Sequence, residues 1–101
     1  MLTHIVWWTL RPEAGGKSAA ENAALLKERL EALREKIPSL LDISVGINLL
    51  DSSTEDVGLV LVSRHNDADG LTAYVAHPEH KAVGEVLREC VVTRKAIDFL
   101  E

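Results

Sequence analysis

A proline set between two helix-forming runs constrains this chain more than any other feature. The stretch is Leu71 to Val83, and it carries Tyr74, His77, Pro78 and His80 close together. Asn66-Asp67-Ala68-Asp69-Gly70 ahead of it reads as a helix start. An Asn or Asp side chain there accepts from an unpaired first-turn amide, and acids favour the positive end of the helix dipole. Leu71, Tyr74 and Val75 recur at helical spacing, which predicts an inward stripe containing Tyr74. A residue before proline is pushed out of the α region, so this helix is expected to stop near His77. Pro78 then opens a second helix, where its missing N–H is no loss. His80, Val83, Gly84 and Leu87 share one face of that second helix, so His80 points inward with the apolar residues, and Gly84 leaves room beside the imidazole.

An inward tyrosine and an inward histidine on either side of a proline break suit general acid–base work. Imidazole titrates near neutrality and a phenol donates a hydrogen bond to a developing oxyanion. The competing interpretation makes Tyr74 and His80 core-edge residues satisfied by backbone partners, and a single sequence favours it. A zinc site built from His77 and His80 with His4 or His65 has no Cys or carboxylate cluster at ligand spacing to support it, so no metal is expected.

The strands add the rest. Leu2 to Leu10 is short, rich in β-branched and aromatic residues, and ends at Arg11-Pro12. His4, Val6, Trp8 and Leu10 point one way and Ile5, Trp7 and Thr9 the other, so both faces are substantially apolar and the strand reads as covered on both sides. Arg11 to Lys17 reads as a loop whose glycines lack the spacing of a phosphate-binding loop. Ser18 and Glu21 form a capping box at the start of a helix, along which Ala23, Leu26, Leu30, Leu33 and Ile37 make one apolar stripe up to Pro38. Lys27 and Glu31 read as a weak pair on its solvated face. Leu41 to Leu49 alternates apolar and polar residues, predicting a strand with one wet face near a sheet edge. Val57 to Ser63 is apolar on both faces and predicted central, with Gly58 marking a bulge or a close backbone approach. The last strand lies within Cys90 to Leu100.

Strand, helix, strand, strand, broken helix, strand is the α+β split βαβ, ferredoxin-like order: a four-stranded antiparallel sheet with helices on one face. Its other face is left open and greasy, with Ile5 and Trp7 upon it. Such a patch marks an interface, and a second copy of the chain is the expected partner, through a homodimer with two-fold symmetry. The 101 residues predict one domain, which at that size gains from association. A net charge of −5 with no basic run argues against nucleic acid and anionic membranes. No apolar run is long enough to span a bilayer, and the N-terminus lacks a signal peptide's basic-then-apolar order. The lone Cys90 forms no internal disulfide and reads as a small buried side chain, which fits a reducing cytoplasm.

These residues resemble the stress-responsive dimeric α/β-barrel (Dabb) family along essentially the whole chain. The markers are His4-Ile5-Val6, Ile37-Pro38, Val45-Gly46-x-Asn48, Leu71-x-x-Tyr74-x-x-His77-Pro78-x-His80 and Ile97-Asp98-Phe99. The resemblance implies a ferredoxin-like subunit and a dimer whose two sheets form a barrel. Most members of the family have no established activity. One plant branch looks like a cofactor-free polyketide cyclase, whose tyrosine and last motif histidine match Tyr74 and His80; its first-strand histidine matches His4. Another plant branch forms stable rings, and a related superfamily contains cofactor-free monooxygenases. The resemblance thus implies no cofactor, and leaves open whether the chain is an enzyme. One expectation is a small-molecule-binding or stress-related dimer. The other is a cyclase-like or monooxygenase-like enzyme using Tyr74 and His80 on a hydrophobic carbonyl substrate. His4, His77, Trp8, Val83 and Leu87 are expected to line the pocket, with Trp8 as the residue that would fill it.

Overall fold

The computed structural model describes residues 1–101. Strand β1 (Leu2–Leu10) leads through a small hairpin, β2 (Glu13–Ala14) and β3 (Lys17–Ser18), into helix α1 (Ala19–Glu31). Strands β4 (Asp42–Gly46) and β5 (Leu59–His65) follow, then helices α2 (Ala68–Ala76) and α3 (Pro78–Cys90), and finally β6 (Val91–Leu100). The sheet order is β4-β5-β1-β6 with every pairing antiparallel, and the helices cover one face. This is the ferredoxin-like α+β arrangement expected from the element order.

Local chemistry sets the boundaries. Ser18 caps α1 with the reciprocal bonds of a capping box: the Glu21 amide donates to Ser18 Oγ at 3.2 Å, and the Ser18 amide to Glu21 Oε1 at 3.0 Å. The predicted helix is shorter than its stripe. It tightens into a 3₁₀ turn over Ala32–Glu35, which still buries Leu33 and delivers Ile37 to the core. The segment expected as a loop is the β2–β3 hairpin. Gly15 and Gly16 take φ of 60° and 79° at its two turn positions, as a type I′ turn requires. Buried Asn22 of α1 donates to the carbonyls of Ala14 and Lys17 and ties the hairpin down.

Two strands differ from their expected limits. β4 stops at Gly46, and Leu49 lies exposed in the segment that follows rather than in the sheet. β5 begins two residues later than expected and extends to His65, which brings that histidine inside. Gly58, just before β5, is a close approach: a Cβ there would stand 3.1 Å from the Leu10 side chain. Asp67 caps α2 through the Gly70 amide, and Pro78 opens α3. Along α2 the inward stripe is narrower than expected, since Tyr74 is buried but Val75 is 46% exposed.

The core lies between the sheet and the helices. Val6, Trp8, Leu59 and Leu61 from the central strands meet Leu26, Leu30 and Leu33 from the first helical segment. Cys90 is buried at the end of α3, where burial and neighbouring Glu89 push its thiol up from its ordinary pKa. On the open face Ile5 and Trp7 are half-buried, with Val60 and Val62 opposite them on β5 and Ile97 and Lys95 opposite them on β6. No helix is long and apolar enough to cross a membrane.

The two edges of the sheet differ. At β4, Lys27 Nζ of α1 donates to the Val45 carbonyl at 2.6 Å, and the Val45 amide donates to Glu31 Oε2 at 3.1 Å. Lys27 and Glu31 also pair with each other at 3.0 Å. The pair expected on a solvated face therefore occupies the outward backbone groups of Val45 on the edge strand. At the other edge β6 pairs only with β1 and is exposed along nearly its whole length.

Candidate functional site

Alternation in β1 and helical spacing in α2 and α3 send three side chains to one place. His4 leaves β1 on the helix-facing side with Val6 and Trp8. Tyr74 descends from α2 and is 1% exposed, while His80 comes from the first turns of α3. The break at His77 makes this convergence possible. With φ −64° and ψ 137°, His77 ends one helix and starts the next, so Tyr74 and His80 approach across a corner. The centroid of the Tyr74 ring lies 4.6 Å from that of His80, in an edge-on arrangement.

These side chains border a cavity of about 240 Å³. The sheet supplies its floor through His4, Val6, Trp8 and Leu61; Leu30 and Tyr74 reach it from α1 and α2. One stripe of α3 forms a wall with His80, Gly84 and Leu87. A Cβ on Gly84 would meet nothing within 4 Å, so the missing side chain does leave open space. Trp8 borders the cavity without closing it. Two residues expected as lining sit elsewhere. His77 is taken up as the cap of α3, accepting the Glu79 amide on Nδ1 at 3.1 Å. Val83, three residues after His80, points into the packing between α3 and α1.

Sequence reasoning missed several participants. Asp98 faces His4 across the β1–β6 pairing, and its Oδ1 is bonded to His4 Nδ1. That carboxylate fixes the imidazole's orientation and tautomer. Pairing the two chain ends, as the fold requires, would have placed Asp98 there. His65, considered only as a metal ligand, is fully buried behind Tyr74, with ring centroids 5.0 Å apart. Its Nδ1 donates to the Ser39 carbonyl at 3.0 Å, so its Nε2 accepts from Ser63 Oγ, also at 3.0 Å. The carbonyl accepts only, and this sets the neutral tautomer. Arg88 and Arg94 also border the cavity. No cluster of three His, Cys, Asp or Glu side chains is arranged to hold a metal.

Electrostatics divides the roles. Burial pushes His80 below its ordinary pKa, the Val75 backbone carbonyl partly offsets this, and the smaller electrostatic influence of His4 and Arg94 acts in the same direction as burial. Burial pushes Tyr74 up to about 12. At neutral pH the pair is therefore a neutral imidazole beside a protonated phenol: a proton acceptor and a hydrogen-bond donor in one apolar pocket.

Comparison with known proteins agrees with this architecture. The family described as Stress responsive A/B Barrel Domain matches residues 2–101. A dimeric protein of unknown function and ferredoxin-like fold from Bacteroides fragilis is 32% identical, with a TM-score of 0.84 over 97% of this chain and 93% of its own. A dimeric ferredoxin-like protein of unknown function from Thermobifida fusca is 21% identical, with a TM-score of 0.81 over 99% of this chain and 90% of its own. SnoaB from Streptomyces nogalater, a cofactor-independent oxygenase solved in a mutant form, shares the fold at 18% identity, with a TM-score of 0.70 over 99% of this chain and 91% of its own. No curated protein matches the sequence.

Proposed function

The chain belongs to the stress responsive A/B barrel domain family, and from that premise we propose that it binds a small apolar carbonyl compound and abstracts a proton from it without a cofactor. The observation that carries this reading is the meeting of Tyr74 and His80 on one cavity, 4.6 Å apart, in complementary protonation states. In the step, His80 takes a proton from the carbon next to the carbonyl. The C–H electron pair becomes the new carbon–carbon π bond, the carbonyl π pair moves onto oxygen, and the Tyr74 hydroxyl donates to the enolate oxygen so formed. His4, held by Asp98, borders the same space and orients the bound molecule.

A small β-diketone such as acetylacetone tests this. In heavy water the wild-type protein is expected to accelerate exchange of the diketone's α-protons over buffer, read by proton NMR. His80→Ala loses about 10²-fold or more of that acceleration, the usual contribution of a positioned base. An unchanged exchange rate in His80→Ala would overturn the assignment. A second reading, a binding or stress-linked dimer without chemistry, draws on the size of the cavity, which lies below the roughly 300–1,000 Å³ of most ligand pockets. It expects His80→Ala to act on stability instead, by about 1–3 kcal/mol for a lost buried polar partner.

The working form of the protein in this proposal is a cytoplasmic homodimer. The dimeric relatives support the association, and the half-buried Ile5 and Trp7 with exposed Ile97 and Phe99 supply an apolar face for it. The single buried thiol suits a reducing compartment.

A further inference from the structure

The charge around the cavity runs against the charge of the chain. The chain has 16 acidic residues and 11 lysines and arginines, yet no aspartate or glutamate borders the cavity, while Arg88 and Arg94 both do. Neither arginine is in an ion pair, although Arg34 and Arg64 elsewhere each hold a carboxylate. Asp98, on the same strand as Arg94, is bonded to His4.

The two arginines lie toward one end of the cavity. Arg94 is opposite Trp8 in the β1–β6 register, whereas Asp98 and His4 are paired four residues further along. At about 3.3 Å per residue, those two pairs are separated by roughly 13 Å along the strands. On α3, His80 is in the first turns and Arg88 in the last. Sheet and helix therefore both run from the histidines to an arginine, with Val6, Leu61 and Leu87 bordering the cavity as well. Both arginine side chains reach solvent, so they mark the mouth and the histidines the interior.

Resting on the proposed carbonyl-binding reading, we infer that the substrate is an acid: an apolar carbonyl compound whose carboxylate is held by Arg88 and Arg94 while its reactive end lies at Tyr74 and His80. Guanidinium groups match a carboxylate by paired hydrogen bonds, and they select it over a neutral group of the same shape. The cavity's volume, about eight waters at roughly 30 Å³ each, admits a body of aromatic-ring size.

The test compares 3-phenylpropionate with 3-phenylpropanamide, which share their shape and differ in charge, by calorimetric titration. The wild-type protein is expected to bind the acid at least about tenfold more tightly, on the scale of one charge-assisted hydrogen bond. The double variant R88Q/R94Q brings the two affinities within about twofold of each other by lowering that of the acid alone. Arg29→Gln, an exposed charge on α1, keeps the preference. Equal affinities in the wild type, or a preference that survives in R88Q/R94Q, overturns the inference and leaves the carbonyl-binding reading standing. Failure of the wild type to bind either compound overturns both.

Discussion

At the scale of single residues, His65 and His80 show how burial can fix a protonation state. His65 is enclosed with both ring nitrogens bonded to groups that suit the neutral form. Burial is the largest cause of its lowered pKa, as it is for His80. Each histidine takes up its proton more readily unfolded than folded, so acid favours unfolding. Their contribution to stability is fully present above the ordinary imidazole value near 6.5 and is lost as pH falls from there toward the depressed folded values. The protein is expected to unfold at lower urea concentration at pH 5.5 than at pH 7.5. NMR should show both imidazoles titrating below the ordinary value, and an ordinary titration midpoint for either would contradict the burial argument. The positions of Tyr74 and His80 were legible in the sequence because helical spacing is local. Asp98 was not, since its place beside His4 depends on two strands at opposite ends of the chain.

At the scale of elements, α3 and the β4 edge each hold a side chain, or the lack of one, where it matters. Gly84 sits inside α3 without a steric reason to be glycine, since a Cβ would touch nothing. Gly84→Ala should stabilise the protein by about 0.5–1 kcal/mol through helix propensity, measured by urea unfolding. A loss of stability would show that the open space is needed by the fold. At β4, Glu31→Ala removes the acceptor of the Val45 amide. It should cost about 0.5–1.5 kcal/mol and speed hydrogen exchange at Val45 specifically. Unchanged exchange there would mean that the bond contributes nothing. The order of elements followed from periodicity and turn chemistry. The link from Lys27 and Glu31 to Val45 did not, because spacing within one helix says nothing about the strand beside it.

At the scale of the whole molecule, half of the eight large apolar residues left exposed lie on one edge strand. Of the large apolar residues left exposed, Val92, Ile97, Phe99 and Leu100 all belong to β6. The greasy sheet face was legible because β1 and β5 carry apolar residues on both sides. The exposure of β6 was not, since it depends on which strand ends the sheet. If a second copy covers this side, Trp7→Glu and Ile97→Glu should each turn the dimer into monomer at micromolar concentration, seen by analytical ultracentrifugation. Ile97 is already 52% exposed, so its charge has little to disrupt within one subunit. Variants that stay dimeric would place the interface elsewhere.

The unequal edges also bear on what the chain avoids. Sheets that meet edge to edge can polymerise only if each molecule offers two free strands, one to receive and one to extend. Here Lys27 and Glu31 occupy Val45's outward groups at one edge, and β6 alone stays open at the other. A β6 that meets another β6 leaves no second β6 edge from which to extend. At Val45, then, strand addition is blocked by two residues on the surface of a helix, while β6 is the edge that lies exposed along its length.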